Sequence, residues 1–91
     1  MEIKRSAIAG TLESSDLLVR IEPDDTQLIL EVNSIVKERF GALIESEVMN
    51  ELNALGITSG RVYVDDKGAL DCVVKARVET AVRRACQEED V

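Results

Sequence analysis

The sequence predicts an α+β fold: a two-layer sandwich in which a small mixed or antiparallel sheet is covered on one face by two helices. Three observations lead there. Short apolar, β-prone runs recur at 6–12, 17–21, 28–32 and 60–64, separated by turn residues. Two longer stretches, 35–55 and 70–85, repeat their apolar residues at three- and four-residue steps, the period of a helix with one buried face. The resulting order is β-β-β-α-β-α, and two amphipathic helices need one apolar sheet face to cover. At 91 residues and 45% apolar content, the chain suffices for one small core. It is read as one domain, 1–91, with residues 1–5 and 87–91 expected to fray.

The first two strands, "SAIAGTL" (6–12) and "LLVRI" (17–21), flank Glu13-Ser14-Ser15-Asp16 and read as a hairpin. Pro23 and the Asp24-Asp25 pair mark the second connection. "LILEV" (28–32) is the third strand, and Asn33 and Ser34 stand where a helix N-cap belongs. In the helix that follows, Val36, Phe40, Leu43 or Ile44, Val48, Leu52 and Leu55 share one face. Gly41 within it costs ~1 kcal/mol relative to Ala, which is acceptable where glycine permits close packing. Gly56 stands at its C′ position. "GRVYV" (60–64) is the next strand, with Val62 and Val64 on one side and Tyr63 on the other.

From Leu70 to Val78 two patterns fit. The apolar residues alternate as in a strand, with "DDKG" (65–68) as a hairpin turn. They also fit a helix through Leu70, Val73/Val74, Val78, Ala81/Val82 and Ala85. The helical pattern persists for longer. Asp65 or Asp66 is available to cap it, and Arg83 and Arg84 suit its C-terminal end. Helix is the expectation.

Composition excludes several function classes. The net charge is −7, and an acidic surface repels a phosphate backbone. Phe40 and Tyr63 are the only aromatics, too few to stack bases. No nucleic-acid partner is expected. No run approaches the ~20 apolar residues of a membrane span, and the N-terminus lacks a signal peptide's apolar segment. A cytoplasmic chain without a membrane partner is expected. If the last segment is helical, Cys72 and Cys86 lie about 21 Å apart at ~1.5 Å per residue, too far for a mutual disulfide. That suits a reducing compartment. There is no histidine, hence no imidazole base or ligand. Asp65 and Asp66 read better as a cap or turn than as a magnesium site, because two carboxylates without further ligands hold that ion poorly. Neither a catalytic residue nor a metal ligand is expected.

Ser14 and Ser15 sit in a hairpin turn, where serine is ordinary. Neither has a base to make it a nucleophile in its own right. A third role needs only exposure, since a hydroxyl at a hairpin tip can be engulfed and modified by another enzyme. The residues alone do not separate Ser14 from Ser15. They also leave open whether Glu13 and Asp16 are recognition charges for such an enzyme or simply solvate the turn.

The motifs "AGTLESSD" (9–16), "VDDKGALDC" (64–72) and "KARVETAVRRA" (75–85), with "NSIVKERFGA" (33–42), resemble the citrate lyase acyl carrier family, the lyase's γ subunit. The resemblance runs from about Ile8 to Ala85. It implies a covalently bound 2'-(5''-phosphoribosyl)-3'-dephospho-CoA, joined by a phosphodiester to the serine after "GTLE", which is Ser14. Glu13, Ser15 and Asp16 then become candidate contacts for the loading enzyme. The arm's thiol is implied to carry acetyl and citryl thioesters while citrate is cleaved to acetate and oxaloacetate. The implied partners are the lyase's α subunit (a transferase), its β subunit (the lyase proper, working with Mg²⁺) and the prosthetic-group transferase. Two alternatives stand beside this reading: the carrier subunit of a malonate-decarboxylase-like complex, and an unmodified structural or adaptor subunit. A fatty-acid-type phosphopantetheine carrier is disfavoured. That class resembles a four-helix bundle with Asp-Ser-Leu at a helix start, whereas here Ser14-Ser15-Asp16-Leu17 lies between strands.

Overall fold

The computed structural model describes residues 2–35 and 37–87, with side chains described outside 37–41. In chain order the elements are β1 (Ala7–Gly10), β2 (Leu17–Glu22), β3 (Leu28–Ser34), α1 (Lys37–Ala54), β4 (Gly60–Asp66) and α2 (Asp71–Cys86). This is the β-β-β-α-β-α order expected from the sequence, and the segment that fitted both strand and helix is a helix. The strands lie side by side as β1-β2-β4-β3. β2 pairs antiparallel with β1 and with β4, while β3 and β4 run parallel. A parallel pair requires a crossover, and α1 supplies it.

Side-chain alternation builds the two layers. Ala9, Val19, Val64 and Val32 form one row across the four strands, and all four are buried. The helices close this face with Ile44, Val48 and Leu52 from α1 and with Val74, Val78, Ala81, Val82 and Ala85 from α2. The next row, Ile8, Arg20, Tyr63 and Glu31, belongs to the opposite face. There the Arg20 guanidinium lies 4.7 Å from the Tyr63 ring centre, a cation–π contact on the uncovered side. On α1 it is Ile44 and not Leu43 that enters the core. Val36, and the side chains of Phe40 and Gly41, fall outside the described residues. Gly56, at φ +73°, takes the left-handed C′ position expected of it.

Three local expectations are corrected. Asn33 and Ser34 do not cap α1; they finish β3, paired with Asp65 and Asp66 of β4. Nor does Asp65 or Asp66 cap α2, whose N-cap position is Leu70, without a side-chain bond. Asp66 is fully buried, so its carboxylate takes donors from its own surroundings: the Ser34 hydroxyl at 2.8 Å and the Ala69 N–H at 2.9 Å. Leu70, expected on the apolar stripe of α2, is 69% exposed, because the helix begins only after it. Residues 3–5 are tied to the body of the fold. Ile3 enters the core, and the Lys4 and Arg5 N–H groups both donate to the Ala85 carbonyl, at 2.9 and 3.1 Å. A carbonyl left without a partner at the end of α2 is thereby satisfied. Of the C-terminal stretch, Gln87 is exposed and residues 88–91 lie outside the description.

Candidate functional site

The β1–β2 connection sits at the end of the sheet where Leu17 pairs with Asp66 and Asp66 with Ser34. Gly10 opens it at φ +94°. A Cβ there would lie 1.8 Å from the Leu17 carbonyl oxygen and 3.3 Å from Arg77 Cδ, so glycine makes room for both. The loop then closes on itself. Thr11 N–H donates to Leu17 O (3.2 Å) and Asp16 N–H to Glu13 O (3.2 Å). Glu13 N–H donates to the Thr11 hydroxyl at 3.1 Å. A second set of bonds ties the loop to the β4–α2 connection, with Ser15 N–H donating to Lys67 O and Lys67 N–H to Asp16 O, each at 2.9 Å.

Asp16 is the hub. Its Oδ1 accepts from Leu17 N–H (2.8 Å) and Arg77 Nε (3.0 Å). Its Oδ2 accepts from the Thr11 hydroxyl (2.7 Å) and Arg77 Nη2 (3.0 Å). The Arg77 fork, followed by the Thr11 hydroxyl, holds the carboxyl down at about 2, as charge-assisted bidentate pairing does. The base of Arg77 is fixed by α2, whose Val74 and Val78 are fully buried.

The residues singled out from sequence therefore come together here with different tasks. Glu13, Ser14 and Ser15 are exposed, and Asp16 is only partly so. Ser15 has φ +66°, a conformation non-glycine residues seldom adopt, and its N–H is committed to Lys67. The Ser14 hydroxyl makes no hydrogen bond among the described residues. Sequence reasoning missed Arg77 and Lys67. Arg77 lies sixty-one positions from Asp16, and Lys67 meets the loop through its backbone, so neither contact leaves a local pattern. Elsewhere, Cys72 and Cys86 are unbridged, and burial pushes the Cys86 thiol up from its ordinary value. Among the described residues no three Asp, Glu, Cys or His side chains group to hold a metal ion, and no helix is long and apolar enough to cross a membrane.

Comparison with known proteins places this architecture in two steps. The fold is that of a chain in a Pseudomonas malonate decarboxylase hetero-tetramer crystallised with malonate. That chain superposes with a TM-score of 0.75 over 91% of this chain and 86% of its own length, at 23% identity. A family model described as malonate decarboxylase delta subunit (MdcD), of the acyl carrier type, matches residues 4–85. Within that class the sequence is 54% identical to a citrate lyase acyl carrier protein from Haemophilus influenzae (97% of this chain, 92% of the relative). It is 55% identical to the protein of that name from Klebsiella pneumoniae (97% and 92%) and 57% identical to that from Rhodopseudomonas palustris (97% and 91%). The chain belongs to the citrate lyase acyl carrier protein family.

Proposed function

We propose that this chain is the acyl carrier subunit of a citrate lyase and that Ser14 bears the covalent prosthetic group, 2'-(5''-phosphoribosyl)-3'-dephospho-CoA. The observation that carries the reading is the turn itself. It is pinned on both sides, it lies at an end of the sheet, and its exposed Ser14 hydroxyl makes no hydrogen bond among the described residues.

A serine so placed fits a charged phosphodiester, because the added charge stays in water and escapes the desolvation cost of burial. In the loading step the Ser14 Oγ attacks the α-phosphorus of the 5''-triphosphate precursor. The Oγ–P bond forms, the bond from that phosphorus to the bridging oxygen breaks, pyrophosphate leaves, and the hydroxyl proton passes to a base of the loading enzyme. In this reading that base comes from the loading enzyme: this chain contains no histidine, and the nearby Asp16 carboxylate is committed to Arg77, Thr11 and Leu17. When bound, the group supplies a terminal thiol that carries acyl groups as thioesters. The carrier holds one end of the tether and so raises the effective concentration of the thiol at both partner sites. Its partners in this reading are the α and β subunits and the prosthetic-group transferase. The whole chain, 1–91, acts as one carrier domain. The two unbridged cysteines suit a reducing cytoplasm.

Reconstitution tests this. The chain, loaded with the precursor and transferase and then acetylated on the arm's thiol with acetic anhydride, is added to carrier-free citrate lyase α and β subunits, and oxaloacetate is measured. Restored citrate cleavage with wild type, and none with Ser14→Ala, is the expected result. Activity with Ser14→Ala equal to wild type would leave an unmodified adaptor. Restored malonate decarboxylation in a parallel assay with carrier-free malonate decarboxylase subunits, without restored citrate cleavage, would move the chain to the malonate decarboxylase branch.

A further inference from the structure

We infer that Asp16 and Arg77 form a positioning clamp that presents Ser14, and not Ser15, to the loading enzyme; the inference rests on the reading of Ser14 as an attachment point. Two adjacent serine hydroxyls have the same intrinsic reactivity, so chemistry alone does not choose between them. Geometry has to. Group transfer demands that the attacking oxygen be held in line with phosphorus, and a displacement of about 1 Å can cost on the order of a hundredfold in rate.

The turn provides for that demand. A carboxylate has about four acceptor positions. Those of Asp16 are filled by Leu17 N–H, the Thr11 hydroxyl and the two arms of Arg77. Each of these bonds restrains the loop. Leu17 and Thr11 are its two ends, and the Thr11 hydroxyl in turn accepts Glu13 N–H just before Ser14. Ser15 is held separately, with its N–H on the Lys67 carbonyl at 2.9 Å and its backbone left-handed. Ser14 is thus flanked by fixed residues, and Asp16 works inward instead of serving as a charge offered to a partner. Arg77 is the member that joins the loop to a rigid element. Gly10 leaves space for its stem, since a Cβ there would come within 3.3 Å of Arg77 Cδ. Without the fork, the loop can shift by one residue, and the Ser15 hydroxyl then reaches the place Ser14 occupies.

The test uses the full chain, the transferase and the triphosphoribosyl-dephospho-CoA precursor. The tryptic peptide 6–20, bounded by Arg5 and Arg20, is sequenced by tandem mass spectrometry to locate the added mass. Wild type is expected to carry it on Ser14 alone. Asp16→Asn and Arg77→Met are each expected to load about tenfold more slowly and to place a measurable share on Ser15. The double variant should be no slower than the slower single one, because both remove the same contact. Thr11→Val, which loses one bond in an exposed loop, should show a smaller Ser15 share. It keeps the question answerable if circular dichroism shows Asp16→Asn unfolded. Label confined to Ser14 in both Arg77→Met and Thr11→Val overturns the clamp, whatever their rates. So does wild-type behaviour of Arg77→Met beside an impaired, folded Asp16→Asn, since Asp16 would then be a recognition charge. A wild-type chain that takes no label, while a control carrier does, defeats the carrier reading itself.

Discussion

Asp16 and Asp24 hold turns at opposite ends of the same sheet and in the same electrostatic state, yet with different partners. Asp16 lies beyond the end of β4 marked by Asp66, and Asp24 beyond the end marked by Gly60, whose N–H donates to Gln27 O. Both carboxyls are lowered to about 2, and each faces one arginine, at 3.0 and 3.1 Å. The order of causes differs. For Asp24 the first is its own loop: Thr26 N–H and hydroxyl, both at 2.9 Å, come before Arg61. For Asp16 the first is Arg77, sixty-one residues away. The 24–27 turn closes itself, as an aspartate turn does. The 11–16 turn is fastened to a helix, which a chain reversal alone does not require. That difference marks the second turn as the one whose precise shape matters.

The comparison can be broken or sharpened experimentally. The largest effect is expected from Gly10→Ala, which puts a Cβ 1.8 Å from the Leu17 carbonyl oxygen at a φ of +94°. A loss of more than ~2 kcal/mol is expected, seen in a thermal melt as a drop of about 10 °C or more. Next come the arginines. Arg77→Met should slow loading about tenfold, on the misplacement argument, whereas Arg61→Met should leave the loading rate within about twofold. Equal losses in the two variants would erase the distinction between the turns.

A pH series follows. Asp16 and Asp24 have folded pKa values of about 2 against 3.8, so each contributes stability that is complete above the unfolded value and is lost as pH falls toward the folded one. Melting temperature should therefore decline between about pH 4 and pH 2 in wild type, and less steeply in Asp16→Asn and Asp24→Asn. At neutral pH Asp24→Asn should cost less than Asp16→Asn, since an asparagine oxygen still accepts the Thr26 bonds but no longer pairs with a fork. The smallest effect is expected at Glu47, whose carboxyl is pushed up by burial and then by Asp71, the opposite of both turn aspartates. Its folded pKa is raised, so ionisation opposes folding as pH rises. Glu47→Gln should raise the neutral-pH melting temperature slightly and leave it unchanged in acid.

What the sequence disclosed follows the same division. The 22–27 connection was legible because Pro23 and the Asp24-Asp25 pair carry their turn chemistry within a few residues. Period also revealed the strands and helices, since Val19, Val62 and Val64 alternate and Val74, Val78 and Val82 recur as one helical face. Order within the sheet was not legible, because nothing local says that β4 inserts between β2 and β3. Ser34 looked like a cap for the same reason: its partner Asp66 lies thirty-two positions away. The serine turn was visible by type and by family resemblance. The Asp16–Arg77 fork was not, since an arginine among the charges of a helix has no periodic signature.

The central claim is that Ser14 is loaded covalently, and intact-mass spectrometry tests it most directly. Wild type, Ser14→Ala and Ser15→Ala are each incubated with the transferase and the triphosphoribosyl-dephospho-CoA precursor. A single addition to wild type and to Ser15→Ala, absent from Ser14→Ala, is the predicted result. An addition that persists in Ser14→Ala, or none to wild type while a control carrier loads, would contradict it.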